Sequence, residues 1–439
     1  MVSEASDVAK VSLEAPSRMS PLMFSGDISP LLTELAAEVS AAAAELTHSL
    51  HPKTLASAAN LTRIMNCYYS NLIEGHRTRP RSVEAAIKHP FSVLDRKESD
   101  LLNLAIAHIE VQKYIDQLFE DKILPDPVSI DFISKIHEKF YINLDEKFLE
   151  IRCPDTDEVK RIMRPGVFRG EGDDVTVGRH SPPPGGESVL NFMEFYFKNY
   201  SRDQLDHYKK ARRLYAIAAA HHRFSFIHPF DDGNGRVARL LTHAMMLDAN
   251  FGAKGFWSMS RGLARGLPED APIYPEFIRK LCGGAAATQQ YKFMMAHADQ
   301  PRQGSLDGRG NLSEKALREF CEWFLAIALD QITFMSKHLK RDTLIKNITN
   351  KYIPMQGLDS RAAKILEQVV ISGEMPRSSV STLLGVSKRT ATNIISSLLA
   401  DKIIDSNSHR DNLYLNLTVS SSEILIPGLF SVEALSDAS

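Results

Sequence analysis

Between residues 30 and 50 the chain is rich in Ala, Leu and Glu, a composition that favours helix. A second helical pattern follows. Leu61, Ile64, Met65, Tyr68 and Leu72 recur at three- and four-residue steps and mark one buried face. Gly75 stands where a helix-ending glycine belongs. Helical periodicity continues over 82–89, 98–120 and 128–141, whereas residues 1–30 carry little of it and are expected to be loose. The rhythm breaks over 150–185. There Val167-Phe168 and Val175-Thr176-Val177 read as short β runs, separated by the turn residues Gly170, Gly172, Asp173 and Asp174. They predict a β-hairpin, followed by a stiff turn at Pro182, Pro183 and Pro184. Helical patterns resume at 187–200, 204–223, 235–249, 270–281 and 312–340.

Residues 347–357 read as a linker, beyond which the pattern changes. Segments 361–371 and 377–384 look helical, Gly385 is a turn, and Ser387 caps a helix running to about Ala400. Ile403-Ile404 and 413–417 flank the turn-rich SNSHRDN and suggest two strands. Helix, helix-turn-helix and hairpin form a winged-helix order. A small α+β interaction domain without nucleic acid has the same pattern.

Composition narrows the function classes. Apolar residues make up 44% and charged residues 24%, the balance of a folded globular chain. The formal net charge of -2 excludes a global basic field for nucleic acid or anionic membrane. Cys67, Cys153, Cys282 and Cys321 lie far apart with no C-x-x-C pair, which argues against a disulfide framework and a structural zinc site. MVSEASDVAK has no apolar h-region, and no run reaches the length of a membrane span. A cytoplasmic location with no membrane partner is the expectation.

The chemistry concentrates in FSFIHPFDDGNGRVARLL, residues 224–241. An apolar helix is expected to end near His222, and a new one to begin near Arg236. Between them, Gly233 and Gly235 around Asn234 let successive backbone N–H groups turn toward one point at a helix N-terminus, where an anion is favoured. Arg236 and Arg239 are three apart and can face that anion from the first turn. Asp232 is a hard oxygen ligand suited to Mg²⁺ between phosphates. His228 is a base near neutral pH. Taken singly, each has an ordinary reading as a core histidine, a tight turn or a solvated helix face. Together they describe a phosphate-transfer site. His221 and His222 are adjacent on a helix, cannot share a face and are read as structural rather than metal ligands. No P-loop and no G-x-S-x-G elbow is present.

The stretch resembles the Fic family signature H-x-F-x-[D/E]-G-N-G-R-x-x-R, with His228, Phe230, Asp232, Gly233, Asn234, Gly235, Arg236 and Arg239 filling every fixed position. The likeness extends over about residues 60–300, and VGRHSPPP resembles the family's flap. LDGRGNLSEKAL, 306–317, is similar to sequences that follow the core in bacterial members with a C-terminal winged helix. The resemblance implies a protein adenylyltransferase that moves AMP from ATP, with Mg²⁺, onto a Ser, Thr or Tyr hydroxyl of a protein, the chain itself included. It assigns His228 as base and Asp232 as metal ligand. Gly233, Asn234 and Gly235 become the anion nest, with Asn234 adding a side-chain contact. Arg236 neutralises the phosphates and Arg239 holds the γ-phosphate. Val177 on the flap and Tyr274, in a stretch resembling Y-Y-x-x-L, would line the nucleotide pocket. The second position of that pair is Pro275 here.

Ser70-Asn71-Leu72-Ile73-Glu74-Gly75 resembles the family's inhibitory motif [S/T]-x-x-x-E-[G/N]. On that likeness Ser70, Glu74 and Gly75 form an inhibitory element, and Glu74 would occupy Arg239 and leave ATP in an unproductive pose. His76 follows where many relatives have Asn. The implied fold is mainly α, a Fic-type helical bundle with a β-hairpin flap plus a small C-terminal winged-helix (α+β) domain. Its expected parts are an N-terminal helical region at 1–95 with the inhibitory helix at about 58–75, a catalytic core at 96–300, a helical connector at 301–355 and the winged helix at 356–430. Three other readings stay open: a DNA-binding or protein-interaction regulator acting through the winged helix, a Fic enzyme that removes AMP, and one that uses another phosphate donor. A homodimer is a further expected partner. For DNA the cations Arg377, Lys388, Arg389, Lys402 and Arg410 only slightly outnumber Asp401, Asp405 and Asp411.

Overall fold

A computed structural model describes residues 14–24, 28–88, 96–153, 155–177, 180–283 and 286–430, and its elements are mainly α-helical. Two units emerge, each assembled from separate stretches of chain. The first takes Met1–Ala36, Pro125–Met245 and Pro275–Leu325, and the second takes Ala37–Leu124, Met246–Tyr274 and Ala326–Ser439. Among the described residues no helix is long and apolar enough to cross a membrane.

The first unit is organised by the helix Lys210–Ile227. Every residue from 214 to 220 is fully buried, so this helix is apolar all round rather than two-faced. It continues past the expected end near His222 because the polar run that follows is satisfied inside the core. His221 bonds Thr242 Oγ1 and the Tyr291 hydroxyl, each at 2.8 Å. His222 Nε2 lies 3.1 Å from the Met295 carbonyl, and Arg223 donates to the Pro21 carbonyl at 2.9 and 3.1 Å. The region expected as one helix over 204–223 opens with a separate short helix, Arg202–Asp206. Glu187–Tyr200 packs against Lys210–Ile227, and Ile130–Tyr141, with Ser129 as N-cap, packs on Glu187–Tyr200.

Two expectations are corrected here. The leading segment is not loose where it is described. Besides Arg223 on Pro21, the Tyr200 hydroxyl donates to the Leu22 carbonyl at 2.7 Å and Leu312 N–H to Ser20 at 2.8 Å. Single bonds from distant residues hold it without any periodic pattern. Residues 1–13 and 25–27 of that segment lie outside the described ones. The strand pair also sits elsewhere. Glu150–Arg152 pairs antiparallel with Val159–Ile162, while 167–177 forms no ladder. Its backbone is instead engaged by Pro229, Gly186 and a side chain described below. Positions 178 and 179 of VGRHSPPP lie outside the described residues.

In the second unit, Pro52–Ile73 buries Leu61, Ile64, Met65 and Tyr68 and leaves Leu72, expected on the same face, half-buried. It ends as expected, with Gly75 at φ 83°. A buried polar layer fixes its rotation. Asn66 donates to Gln112 Oε1 at 2.7 Å and accepts from the Ser258 hydroxyl at 2.6 Å. Residues 347–357 are not an open linker. They form a π-helical turn, Ile348–Tyr352, continued by Ile353–Met355, because Ile348, Tyr352 and Ile353 are buried. Beyond them come Ala362–Ser372, Val380–Leu384 and Lys388–Asp401, the last capped by Ser387 as expected. Ile404–Asp405 and Leu413–Leu415 pair as a hairpin, and an unforeseen strand, Glu374–Met375, completes a three-stranded sheet. Met259–Arg265, Gln290–Ala298 and Val419–Leu425 are helices the pattern did not reveal, and the helix expected over 270–281 is confined to Phe277–Cys282.

Candidate active site

The loop 228–233 joins the buried helix Lys210–Ile227 to Asn234–Asp248. His228 terminates the first helix in the left-handed conformation, φ 50° and ψ 60°. A non-glycine residue is held there only when its surroundings over-determine it. Arg169 supplies that constraint. Its guanidinium, 1% exposed, donates to the carbonyls of His228 (2.8 Å), Asp173 (2.9 Å), Pro183 (3.0 Å) and Ile227 (3.3 Å). A cation at a helix C-terminus also answers the helix dipole. Arg169 in turn accounts for the missing hairpin, because its backbone N–H is given to Pro229 and its carbonyl to Gly186.

Burial, with the neighbouring Arg169 charge, pushes the His228 imidazole down to about 4. The ring is therefore neutral at physiological pH and carries a lone pair able to take a proton.

Phe230 is fully buried, stacked on His137 with centroids 3.8 Å apart and edge-on to Phe168 at 5.1 Å. Asn234 bridges both polar groups of Phe230, accepting from its N–H at 2.9 Å and donating to its carbonyl at 2.7 Å. Both ends of the Asn234 amide are thus committed to shaping the loop. Gly233 has φ 79°, and a Cβ there would lie 2.6 Å from the Tyr141 hydroxyl. The loop needs glycine on both counts.

Asp232 is held from one face of the helix Ile130–Tyr141. Gly166 N–H donates to His137 Nδ1 at 2.8 Å, so the protonated Nε2 donates to the Asp232 carbonyl at 3.2 Å. The Tyr141 hydroxyl donates to Asp232 Oδ2 at 3.0 Å and accepts from Arg236 Nη1 at 2.9 Å. Desolvation by the packed residues around it opposes ionisation of the Asp232 carboxyl. The Arg236 charge, the Gly233 N–H and the Tyr141 hydroxyl outweigh it and hold the carboxyl below the usual range. The Asp232 side chain remains 56% exposed. One exposed hard carboxylate, with no cluster of three metal-ligating side chains among the described residues, suits Mg²⁺ completed by phosphate oxygens and water. It does not suit an all-protein cage.

The first unit thus brings together His228, Asp232, Gly233, Asn234, Gly235 and Arg236, and buries Arg239 in the second turn of the helix Asn234–Asp248. Val177 is tied to the last turn of the helix Lys210–Ile227 through His180. The two residues exchange backbone hydrogen bonds of 2.9 and 3.0 Å, and the His180 ring reaches the Phe226 carbonyl at 2.7 Å. Tyr274, Ser70, Glu74 and Gly75 belong to the second unit. Ser70 is fully buried in Pro52–Ile73, and Glu74 is the exposed C-cap of that helix. Tyr274 is half-buried just before the helix Phe277–Cys282. Three supporting residues escaped the motif: His137, Tyr141 and Arg169. For the first two a signal existed, since polar side chains four apart share the otherwise apolar, buried face of an amphipathic helix.

The Fic/DOC family model matches residues 127–246. Protein adenylyltransferase Fic of Aedes aegypti is 30% identical over 190 residues, covering 43% of this chain and 33% of that protein. The protein of the same name in Nematostella vectensis is 27% identical over 184 residues, 42% of this chain and 37% of its own length. The chain spans about a third of the length of these curated relatives. Among solved structures, a Fic family protein of Desulfovibrio desulfuricans superposes with a TM-score of 0.45 at 18% identity, covering 89% of this chain and 97% of that one. For a Fic domain containing signaling protein of Bacteroides thetaiotaomicron the values are 0.46, 16%, 71% and 98%. The signature loop and the three residues that brace it all fall inside the segment that the Fic/DOC family model matches, and over that segment the chain is similar to the Fic/DOC family.

Proposed function

We propose that the chain is a protein adenylyltransferase using ATP as donor. The observation that carries this reading is the joined geometry of a neutral histidine, an exposed carboxylate and a helix-opening glycine loop within residues 228–236. In the reaction, His228 takes the proton of a protein hydroxyl. The hydroxyl oxygen attacks the α-phosphorus, the bond to the bridging oxygen breaks, and pyrophosphate leaves. Gly233, Gly235 and the N-terminal N–H groups of Asn234–Asp248 receive phosphate oxygens, which the helix dipole favours. Arg236 balances charge at the leaving pyrophosphate, and Arg239 is assigned to the γ-phosphate. Asp232 is the residue suited to Mg²⁺, which when bound neutralises the α- and β-phosphates. The test is an intact mass after incubation with Mg-ATP. An added AMP unit, absent in His228→Ala, is the expected result. A wild-type chain that binds Mg-ATP yet labels neither itself nor proteins of a lysate would sink the reading.

Self-inhibition by Glu74 is supported by the motif of residues 70–75 and by its place at a helix end. A winged-helix identity for 356–430 is supported by the third strand, Glu374–Met375, which joins the expected hairpin. Its exposed Lys388 and Arg389 keep a nucleic-acid or protein partner as the corresponding role.

A further inference from the structure

The Tyr141 side chain, only 1% exposed, ends the helix Ile130–Tyr141. Its hydroxyl lies between two groups that the proposed reaction uses for different ends. It gives its proton to Asp232 Oδ2 and receives one from Arg236 Nη1. Arg236 and Asp232 are themselves 3.5 Å apart, so the route through the phenol is made of the shorter contacts.

This arrangement differs from a direct ion pair in a way that matters chemically. A guanidinium fork facing a carboxylate takes up both of its oxygens in parallel bonds. A phenol in between occupies one carboxylate oxygen with one donor and adds no charge of its own. The Asp232 side chain is left more than half exposed while still being held. The ring has little freedom to leave. It packs against His137 at 4.8 Å and Phe140 at 5.0 Å, and it closes over Gly233, where even one methyl would strike it. One helical turn earlier, His137 holds the Asp232 backbone carbonyl from the same face. The carboxylate is therefore gripped at two points, backbone and side chain, by residues four apart on one helix.

We propose that Tyr141 is a positioning residue that couples the metal-binding carboxylate to the phosphate-binding arginine, so that Mg²⁺ and the triphosphate are taken up as one unit. The proposal rests on the nucleotide reading above and deepens it. Asp232 would hold the divalent cation, and the Tyr141 phenol would carry the placement of that carboxylate to Arg236. Without the hydroxyl the two groups are free to collapse into their own ion pair, which withdraws both from the nucleotide.

Tyr141→Phe keeps the ring and its packing and removes only the hydroxyl, and a thermal melt verifies folding. Calorimetry then measures nucleotide affinity without catalysis, with ATP in Mg²⁺ and with ATP in EDTA. A lost hydrogen bond to charged partners predicts roughly tenfold weaker Mg-ATP binding, with a clearly smaller change in EDTA. In steady state, KM for Mg-ATP should rise and the Mg²⁺ midpoint should move to higher concentration, with kcat less affected. In a double-mutant cycle with Asp232→Asn, the losses should fall well short of additive, because both changes cut one connection. Unchanged Mg-ATP affinity, equal weakening with and without metal, or full additivity would each overturn the role of Tyr141. If the wild type itself binds no Mg-ATP, it is the nucleotide reading that fails.

Discussion

The guanidinium of Arg169 donates to the backbone carbonyl of His228 at 2.8 Å, and so holds a residue that sits at φ 50°. That single contact joins the geometry of the proposed base to its protonation state, since the same charge also depresses the imidazole. Arg169→Lys keeps a cation but loses the planar fork that serves four carbonyls. The variant is expected to lose about 2–4 kcal/mol of stability, read by urea unfolding. Under conditions where it is folded, transfer should drop at least about tenfold as His228 leaves its conformation. A folded Arg169→Lys variant with wild-type transfer would show that the base needs no such support.

The pH dependence follows in sign from His228, whose value falls from the ordinary 6.5 to about 4. The neutral, proton-accepting form then persists well below neutrality. The limb of the rate profile that reports the base should lie near 4, with no loss from base protonation between about pH 8 and about pH 5.5. A base limb centred at 6.5 would contradict the neutral buried imidazole. Stability follows the same direction. Burial, with the Arg239 charge nearby, pushes fully buried His221 down to about 3. The unfolded chain protonates first, so stability is complete above 6.5 and declines as pH falls from there toward about 3. Melting temperatures across that window measure it.

Gly233→Ala tests the loop itself. The substitution meets a left-handed backbone at φ 79° and places a methyl 2.6 Å from the Tyr141 hydroxyl. A loss of about 2–4 kcal/mol is expected from strain and overlap together, along with Mg-ATP binding. Gly75→Ala is the useful contrast. It shares a positive φ of 83° but meets nothing within 4 Å, so its cost should be the backbone term alone, about 1 kcal/mol.

Glu74→Gly addresses the proposed self-inhibition. Glu74 is the C-cap of Pro52–Ile73 and not part of its interior, so the change spares the helix. Transfer is expected to rise roughly tenfold, within the usual range for coupling between sites. Combining it with Arg239→Ala should remove the gain. Labelling that is unchanged by Glu74→Gly at every ATP concentration would leave the motif a structural helix end.

The local sequence carries the groups proposed to act, and also the constraints within reach of one turn. The period of Leu61, Ile64, Met65 and Tyr68 marks a helix face that is indeed buried. The glycines of 233–235 announce a helix-opening loop, and Ser387 announces its cap. These features depend on residues a few positions apart, where spacing and backbone preference decide the outcome. Where the local pattern misleads, a distant partner overrides it. The polar run His221-His222-Arg223 reads as a helix end, yet it continues because Thr242, Tyr291 and Pro21 meet it inside the core. The runs at 167–177 read as strands, yet Arg169 and its neighbours take the backbone groups that a ladder would have used.

The sequence by itself therefore determined the helical class, the helix-opening glycine loop and the residues proposed as base, carboxylate and phosphate-binding arginines. Only the tertiary structure decided how those groups are held. Arg169 acts on a residue 59 positions away, and Tyr141 acts on others 91 and 95 positions away. The choice of a neutral His228 and of a carboxylate that is braced yet still exposed arises from burial and from charges brought close by folding. Neither is encoded in the spacing of the motif, because desolvation and Coulomb interactions depend on distance in space and not along the chain.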